Sequence, residues 1–279
     1  MGGREIGYLF GQYKRIRDSF DGGVLTGKGL SFGGSLARTE ATGYGLCYLT
    51  EEMLHCMKQE SLQGKRVAIS GSGNVAIFAC QKAQELGARV ITMSDSNGCI
   101  YDPEGIRLDV VKDIKLRRRG RIREYAQLVP GSEFRSDFRD LWSVPCDVAL
   151  PCATQNEIDA ETARRIVRGG AMALAEGANM PSTPAAIEVL REGGVLFAPA
   201  KAANAGGVAV SGLEMCQNSM RLAWTFDEVD QRLHQIMLDI FHNIYDASVE
   251  YGVPGNLLDG ANIAGFRKVA DAMLAQGVC

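Results

Sequence analysis

The sequence predicts an α/β protein in which helices cover both faces of a doubly wound sheet and further helices come from both chain ends. Two observations predict this class. Short apolar segments alternate with amphipathic helical segments between residues 65 and 199, which is typical of a parallel sheet with right-handed crossovers. Long helical patterns without strands lie before and after that region.

The N-terminal part reads as helix, loop and helix. Apolar residues recur at helical spacing over residues 4–17, and a glycine-rich loop occupies residues 21–35. Residues 40–58 form a largely apolar helical pattern. These segments precede the first predicted strand.

The central part contains the predicted strands and the helices that connect them. The strands are predicted over residues 65–70, 89–95, 146–151, 171–176 and 195–199, with helices over 74–86, 157–167 and 184–193. After residue 206 the strands stop, and helices are predicted over 226–251 and 262–276. We therefore expect three parts, residues 1–44, 45–205 and 206–279, of which the second is the nucleotide-type domain.

Composition excludes several classes of protein. The formal net charge of −3 does not favour nucleic acid as a partner. The 8 cysteines include no C-x-x-C pair, so reduced thiols in a cytoplasm are expected rather than disulfides or a metal site. The N-terminus does not resemble a signal peptide, and no apolar run is long enough for a membrane span.

A glycine turn stands between the first central strand and its helix. Gly71, Gly73 and Ala76 match the G-x-G-x-x-G/A pattern, and Asp95 ends the next strand about 20 residues later. The first glycine makes the turn, the second admits a pyrophosphate, and the helix N-terminus attracts the phosphates. This context predicts a Rossmann-like dinucleotide-binding domain.

The residues after Asp95 bear on which dinucleotide binds. Asp95 alone favours a free ribose 2′-hydroxyl and hence NAD. Ser96 and the basic run over residues 112–123 could instead hold a 2′-phosphate, which favours NADP, although such a run can also be a solvated helix face. The second glycine cluster, around Lys28, lacks the spacing of a phosphate loop, so Lys28 is interpreted as a structural loop cation.

Polar residues follow three further strands. In a doubly wound sheet, ligands bind beyond the carboxyl ends of the strands, so these residues are expected to converge on one crevice. Each of them could alternatively cap a helix or fill a turn. The candidates are Thr154, Asn179, Asn204 and Ser211.

Several separated segments resemble the hexameric bacterial glutamate dehydrogenases of the NADP type. The resemblance covers essentially the whole chain and rests on the segments KGLSFGGSLARTEATGYG, SGSGNV, ALPCATQNE, AEGANMP and KAANAGGVAVSGLEM. It implies reversible oxidative deamination of L-glutamate to 2-oxoglutarate and ammonia, with hydride passing to the nicotinamide. The segment SDS at residues 94–96 is similar to the NADP-using members, which makes NADP the expected cofactor and NAD the alternative.

The resemblance also implies roles for individual residues. Thr42 and Asn74 would bind the cofactor, Asn179 and Asn204 would lie near the nicotinamide ribose, and Ser211 would contact the substrate's side-chain carboxylate. The full implied cofactor set is Thr42, Gly71, Ser72, Gly73, Asn74, Val75, Asp95, Ser96, Lys115, Ala153, Thr154, Asn179 and Asn204. The implied substrate set is Arg38, Val208 and Ser211.

The chain departs from the family in one respect. The resemblance implies that three kinds of family residue would lie upstream of Gly2. They are the catalytic lysine, the substrate-binding lysines and an aspartate that moves protons. Residues 1–44 are therefore interpreted as a remnant of the substrate domain, and this chain is expected to be inactive alone. The alternatives are a non-catalytic nucleotide-binding subunit and a dehydrogenase for another amino acid, against which Ser211 argues. The family forms hexamers, and apolar surface left uncovered here predicts self-association.

Overall fold

A seven-stranded sheet forms the centre of the chain in a computed structural model that describes residues 2–277. The strands are β1 (Arg66–Ile69), β2 (Arg89–Asp95), β3 (Gly98–Tyr101), β4 (Glu133–Arg135), β5 (Val148–Leu150), β6 (Ala173–Ala175) and β7 (Leu196–Ala198). Their order across the sheet is β4-β3-β2-β1-β5-β6-β7. All five predicted strands are present, as β1, β2, β5, β6 and β7, and they pair in parallel.

The sheet is mixed, which corrects the expectation of a parallel sheet. β3 pairs antiparallel with β2, and β4 pairs antiparallel with β3. Asp95 lies opposite Gly98, so a two-residue connection joins β2 to β3 as a tight hairpin. β4 is short and not fully buried, so it lacks the apolar pattern that predicts a strand, whereas β3 is largely buried but spans only four residues.

The helices lie mostly where the sequence predicts them. They are α1 (Gly3–Arg17), α2 (Ala41–Lys58), α3 (Asn74–Glu85), α4 (Leu108–Lys112), α5 (Tyr125–Leu128), α6 (Ala160–Arg168), α7 (Pro184–Glu192), α8 (Ala200–Ala203), α9 (Gly206–Met220), α10 (Phe226–Glu250) and α11 (Leu257–Gln276). The short helices α4, α5 and α8 and the longer α9 lie outside the predicted helices. Glycine at the start of α9 has a low helix propensity, so the sequence pattern does not indicate a helix there. Glycine is nevertheless needed, because a Cβ on Gly206 would lie 2.2 Å from the carbonyl oxygen of Ala41.

Successive side chains along each strand point to opposite faces of the sheet and contribute to two hydrophobic cores, one on each face. Val67 and Ile69 of β1 belong to the core that includes α2, α3 and α10, whereas Ala68 faces the core that includes α6 and α7. Leu174 and its two neighbours in β6 divide in the same way. The sheet is therefore covered on both faces, as a Rossmann-like α/β fold requires.

Helix α2 connects the predicted parts of the chain. The predicted boundary after residue 44 falls inside α2, which packs against α3, α9 and α10. The three-part division stays a prediction. Within residues 2–277, no helix combines the length and apolar content needed to cross a membrane. The seven cysteines of that range are free thiols, and Cys279 lies outside the described residues.

Candidate functional site

The strand order creates a crevice between β1 and β5. β2 lies on one side of β1 and β5 lies on the other. The chain segments that leave the carboxyl ends of β1 and β5 therefore run in opposite directions across the sheet. A cleft of about 480 Å³ opens close to this point. Its lining includes eight predicted site residues: Arg38, Thr42, Val75, Ala153, Thr154, Asn179, Asn204 and Val208.

The glycine turn packs behind the cleft, although Gly71, Ser72 and Gly73 are not among the residues that line it. Gly71 has φ +85°, and a Cβ there would lie 3.0 Å from the carbonyl oxygen of Cys152, so a side chain is excluded twice. The Gly71 N–H donates to Ser94 Oγ at 2.8 Å, and Ser72 is buried within the turn. These contacts fix the turn against the neighbouring strand ends.

Helix α3 begins directly after this turn. Gly73 is its N-cap, and a Cβ on Gly73 would meet no atom within 4 Å. Asn74, the first helical residue, lines an adjoining cleft of about 300 Å³ together with Thr42 and Val75. Open space at the start of a helix with unsatisfied N–H groups suits a diphosphate.

Asp95 is engaged by its own loop. Its Oδ2 accepts hydrogen bonds from Lys115 Nζ at 3.2 Å and from the Ile122 N–H at 2.9 Å, and Oδ1 accepts from the Asn97 N–H. Burial acts to raise the pKa of Asp95, but these hydrogen bonds outweigh it and lower the pKa. Lys115 also donates to the Gly120 carbonyl, so the predicted pair Asp95 and Lys115 bind each other.

Ser96 has a different basic neighbour. Arg121 Nη1 donates to Ser96 Oγ at 3.1 Å, and both side chains are exposed. By contrast, Arg118 pairs with Asp113 and Glu124. Within the basic run, the sequence favoured Lys115, Arg117, Arg118 or Arg119 as this cation and missed Arg121, because the loop after α4 decides which side chain reaches Ser96.

Two asparagines meet at the opposite edge of the cleft. Asn204 Nδ2 donates to Asn179 Oδ1 at 2.8 Å and to the Ala178 carbonyl at 3.4 Å. Asn204 ends α8, and Asn179 follows β6. Nearby Gly177 is required, since a Cβ there would lie 2.6 Å from Cys152 Sγ. Of the predicted strand-end residues, Thr154, Asn179 and Asn204 line the cleft and Ser211 does not, and the roles of all four stay predictions.

Ser211 lies on α9 beside Arg38 and Thr26. Ser211 Oγ accepts a hydrogen bond from Arg38 Nε at 2.9 Å and lies 3.0 Å from Thr26 Oγ1. Among the hydrogen bonds of residues 2–277, Arg38 uses only Nε, which leaves its other guanidinium donors for a ligand in the cleft. Val208, one turn earlier on α9, is 76% exposed. Thr26 was missed, since a threonine in a glycine-rich loop carries no motif.

Lys28 anchors the loop that contains Thr26. Its Nζ donates to Glu214, to Asn218 Oδ1 at 3.0 Å and to the Leu25 carbonyl at 2.6 Å. The side chains of Lys28 and Glu214 are both fully buried. This agrees with the prediction that Lys28 is a structural cation and holds Thr26 close to Ser211.

A buried carboxyl group lies beneath the cleft. Glu157 Oε1 accepts from Ser70 Oγ at 2.9 Å and from the Ala153 N–H at 3.3 Å, while Oε2 has no partner among the described residues. Burial raises the pKa of Glu157 to about 7, although these hydrogen bonds oppose the rise. Sequence reasoning missed Glu157, whose position four residues after Ala153 gives no sign of burial.

The described lining of the cleft consists mostly of uncharged groups. Among the described residues that line it, Arg38 is the only charged one, and lysine, histidine, aspartate and glutamate are absent. The Cys152 thiol is buried, which raises its pKa well above the usual range and keeps it neutral.

A family model matches most of the chain. The model described as Glutamate/Leucine/Phenylalanine/Valine dehydrogenase matches residues 33–277. The NADP-specific glutamate dehydrogenase of Escherichia coli strain K12 is 54% identical over the whole chain, which spans 62% of that protein's length. The chain therefore covers less than two thirds of this relative.

Solved structures agree with this match. The crystal structure of Plasmodium falciparum glutamate dehydrogenase matches the whole chain with a TM-score of 0.96 at 44% identity, and the chain covers 60% of it. A hetero-hexameric glutamate dehydrogenase from Thermus thermophilus matches with a TM-score of 0.87 at 25% identity, of which the chain covers 63%.

Proposed function

The chain belongs to the Glutamate/Leucine/Phenylalanine/Valine dehydrogenase family, and from this premise we propose that it is the cofactor-binding portion of an NADP-dependent glutamate dehydrogenase. The reaction would convert L-glutamate, water and NADP to 2-oxoglutarate, ammonia and NADPH. The observation that carries the proposal is that Thr42, Val75, the strand-end asparagines and Arg38 line one cleft, with Ser211 bound to Arg38 beside it.

The residues present fit a dinucleotide. The open N-terminus of α3 at Gly73 would hold the diphosphate, and Thr42, Asn179 and Asn204 would hold the nicotinamide half. When bound, NADP would accept the hydride from the substrate α-carbon. The role of the protein is to orient that cofactor and to keep the two reacting carbons in contact.

Cofactor selectivity is proposed to depend on Ser96 and Arg121. Asp95 has its carboxylate held by Lys115 and Ile122, so it is less able to receive a ribose hydroxyl or to repel a phosphate. The exposed Arg121 guanidinium beside Ser96 offers charged donors to a 2′-phosphate. This arrangement favours NADP over NAD.

Replacing Arg121 by alanine should weaken NADPH binding by about tenfold or more while leaving NADH binding nearly unchanged. The reason is that a charge-assisted hydrogen bond to the 2′-phosphate, worth roughly 1.5–3 kcal/mol, would be lost only for NADPH. Nicotinamide fluorescence titration of each variant measures both affinities. Arg117→Ala is the matched control, because Arg117 is 84% exposed and its one ion pair among residues 2–277 is with Asp113. Equal losses for NADPH and NADH would contradict this assignment.

Substrate recognition is proposed to use Arg38, Ser211 and Thr26. Ser211 Oγ accepts from Arg38, so its own hydrogen can be donated to a carboxylate oxygen, and the free guanidinium donors of Arg38 add positive charge. A pair of this kind suits a dicarboxylate better than an apolar amino acid. The proposed substrates are therefore glutamate, 2-oxoglutarate and ammonia rather than leucine or phenylalanine.

The purified chain is expected to bind cofactor without turnover. Deamination needs a general acid and base within hydrogen-bond reach, and none lines the described cleft. We propose that the catalytic lysine and aspartate of the family have no counterpart in this chain. Glutamate-dependent NADP reduction, followed by absorbance, should stay at background. Measurable turnover that requires glutamate would contradict the expectation, whereas NADPH binding without turnover also fits a non-catalytic nucleotide-binding subunit.

Assembly into homo-oligomers in the cytoplasm is also proposed. Helices α1 and α11 expose large apolar side chains, among them Tyr8, Ile16, Phe266 and Leu274. Such surface favours contact with further protein. Multi-angle light scattering of the purified chain should therefore give a mass above that of a monomer. A monodisperse monomer at high protein concentration would contradict the prediction.

A further inference from the structure

Three metal-ligating side chains meet on the packed helices α2 and α10, outside the cleft. Glu52 and Cys56 lie four residues apart on α2 and share one face of it, and His242 comes from α10. Cys56 Sγ lies 3.2 Å from Glu52 Oε1, and His242 Nε2 lies 2.9 Å from the same oxygen. One ligand atom from each residue lies within 4.8 Å of the other two.

Two of the three separations are close to those of a tetrahedral metal site. Zinc binds sulfur at about 2.3 Å and nitrogen or oxygen at about 2.0–2.2 Å, so the edges of its tetrahedron measure roughly 3.3–3.6 Å. The two distances around Glu52 fall short of these edges by a few tenths of an ångström. Small rotations of three partly or fully exposed side chains would therefore admit an ion.

The donor set selects the kind of metal. A thiolate and an imidazole favour zinc and similar borderline or soft ions, whereas magnesium and calcium prefer sites built from oxygen alone. Three protein ligands leave one tetrahedral position for water. The helices themselves are held together by their buried apolar faces, so the ligands are positioned before the ion arrives.

We propose that Glu52, Cys56 and His242 form a binding site for Zn²⁺. On binding, Cys56 loses its thiol proton to solvent, and His242 presents the lone pair of Nε2 to the ion. The bound ion would connect the C-terminal half of α2 to α10. Thr42 lies roughly 20 Å away along α2, so the site is separate from the cofactor cleft.

Cobalt and zinc titrations test the site in the tag-free, metal-depleted chain. Co²⁺ reports thiolate ligation through a charge-transfer band in the near ultraviolet, and Zn²⁺ should displace it at one ion per chain. Cys56→Ser should abolish the band, and His242→Ala should weaken Zn²⁺ binding by about tenfold or more, measured by calorimetry. Cys216→Ser is the matched control, because Cys216 is the other exposed cysteine among residues 2–277.

Thermal unfolding supplies a second measurement that does not depend on activity. Zn²⁺ should raise the melting temperature of the parent chain and of Cys216→Ser but not of Cys56→Ser. Circular dichroism confirms that each variant is folded, as expected for changes at exposed positions. A cobalt band that survives Cys56→Ser, or equal Zn²⁺ affinity in the parent and both ligand variants, would overturn the proposal. Absence of stoichiometric binding to the parent would overturn it as well.

Discussion

Replacing Lys28 by methionine is expected to lower the free energy of unfolding by about 3–5 kcal/mol. The substitution leaves Glu214 as a fully buried carboxylate without its cation, and methionine fills most of the lysine volume. Glu214 keeps only the backbone donors of residues 27 and 28. Urea unfolding followed by circular dichroism measures the change.

A double variant separates charge burial from packing. Adding Glu214→Leu to Lys28→Met removes both charges and should recover most of the lost stability, because an apolar pair avoids the desolvation cost. Lys65→Met is the matched control, since Lys65 pairs with Glu60 in a partly exposed salt bridge. That control should lose less than about 1 kcal/mol. A loss for Lys28→Met as small as that of the control would show that the buried pair does not hold the loop.

Replacing Glu157 by glutamine should change the free energy of unfolding more favourably at pH 8 than at pH 5. The pKa of Glu157 is raised from 4.5 to about 7 in the folded state. Stability from this group is therefore complete below pH 4.5, falls as pH rises toward 7, and is lost above it. The raised pKa corresponds to a loss of about 3 kcal/mol in the free energy of unfolding at pH 8. The uncharged glutamine should largely recover this loss.

The comparison requires a control because other groups titrate as well. Burial also raises the pKa of Glu176, with the same sign, whereas hydrogen bonding from Arg66 outweighs burial and lowers the pKa of Asp147, with the opposite sign. The difference between the parent and Glu157→Gln isolates Glu157, and exposed Glu161→Gln controls for loss of a surface charge. Urea unfolding at pH 5, 6, 7 and 8 gives the profile. A difference that does not change with pH would contradict a raised pKa at Glu157.

Much of the fold could be predicted because burial leaves a pattern in the sequence. The five parallel strands are short apolar segments between helices, and each predicted segment corresponds to one of them. The hairpin strands β3 and β4 could not be predicted, because β4 pairs through its backbone while its side chains remain partly or fully exposed. Helix α9 could not be predicted because Gly206 and Gly207 weaken the helical pattern at its start. Both lack side chains where α9 lies close to α2.

The residues of the candidate site also fall into those that local sequence patterns indicate and those that only tertiary contacts bring together. Local motifs located the glycine turn, Asp95 and the strand-end asparagines, since parallel strands bring their carboxyl ends together. Arg121, Thr26 and Glu157 were missed, because their relevance depends on tertiary contacts with Ser96, Ser211 and Ser70. Of the zinc-site candidates, Glu52 and Cys56 share α2, but His242 comes from α10, and no spacing rule connects it to them.

Titration of the purified chain with NADPH and, separately, with NADH tests the central claim most directly. The claim is that the cleft between β1 and β5 holds NADP. Nicotinamide fluorescence should saturate at one NADPH per chain, with weaker binding of NADH, because only NADPH carries the 2′-phosphate that the Arg121–Ser96 pair is proposed to bind. Failure of a folded chain to bind either dinucleotide, or tighter binding of NADH, would contradict this account.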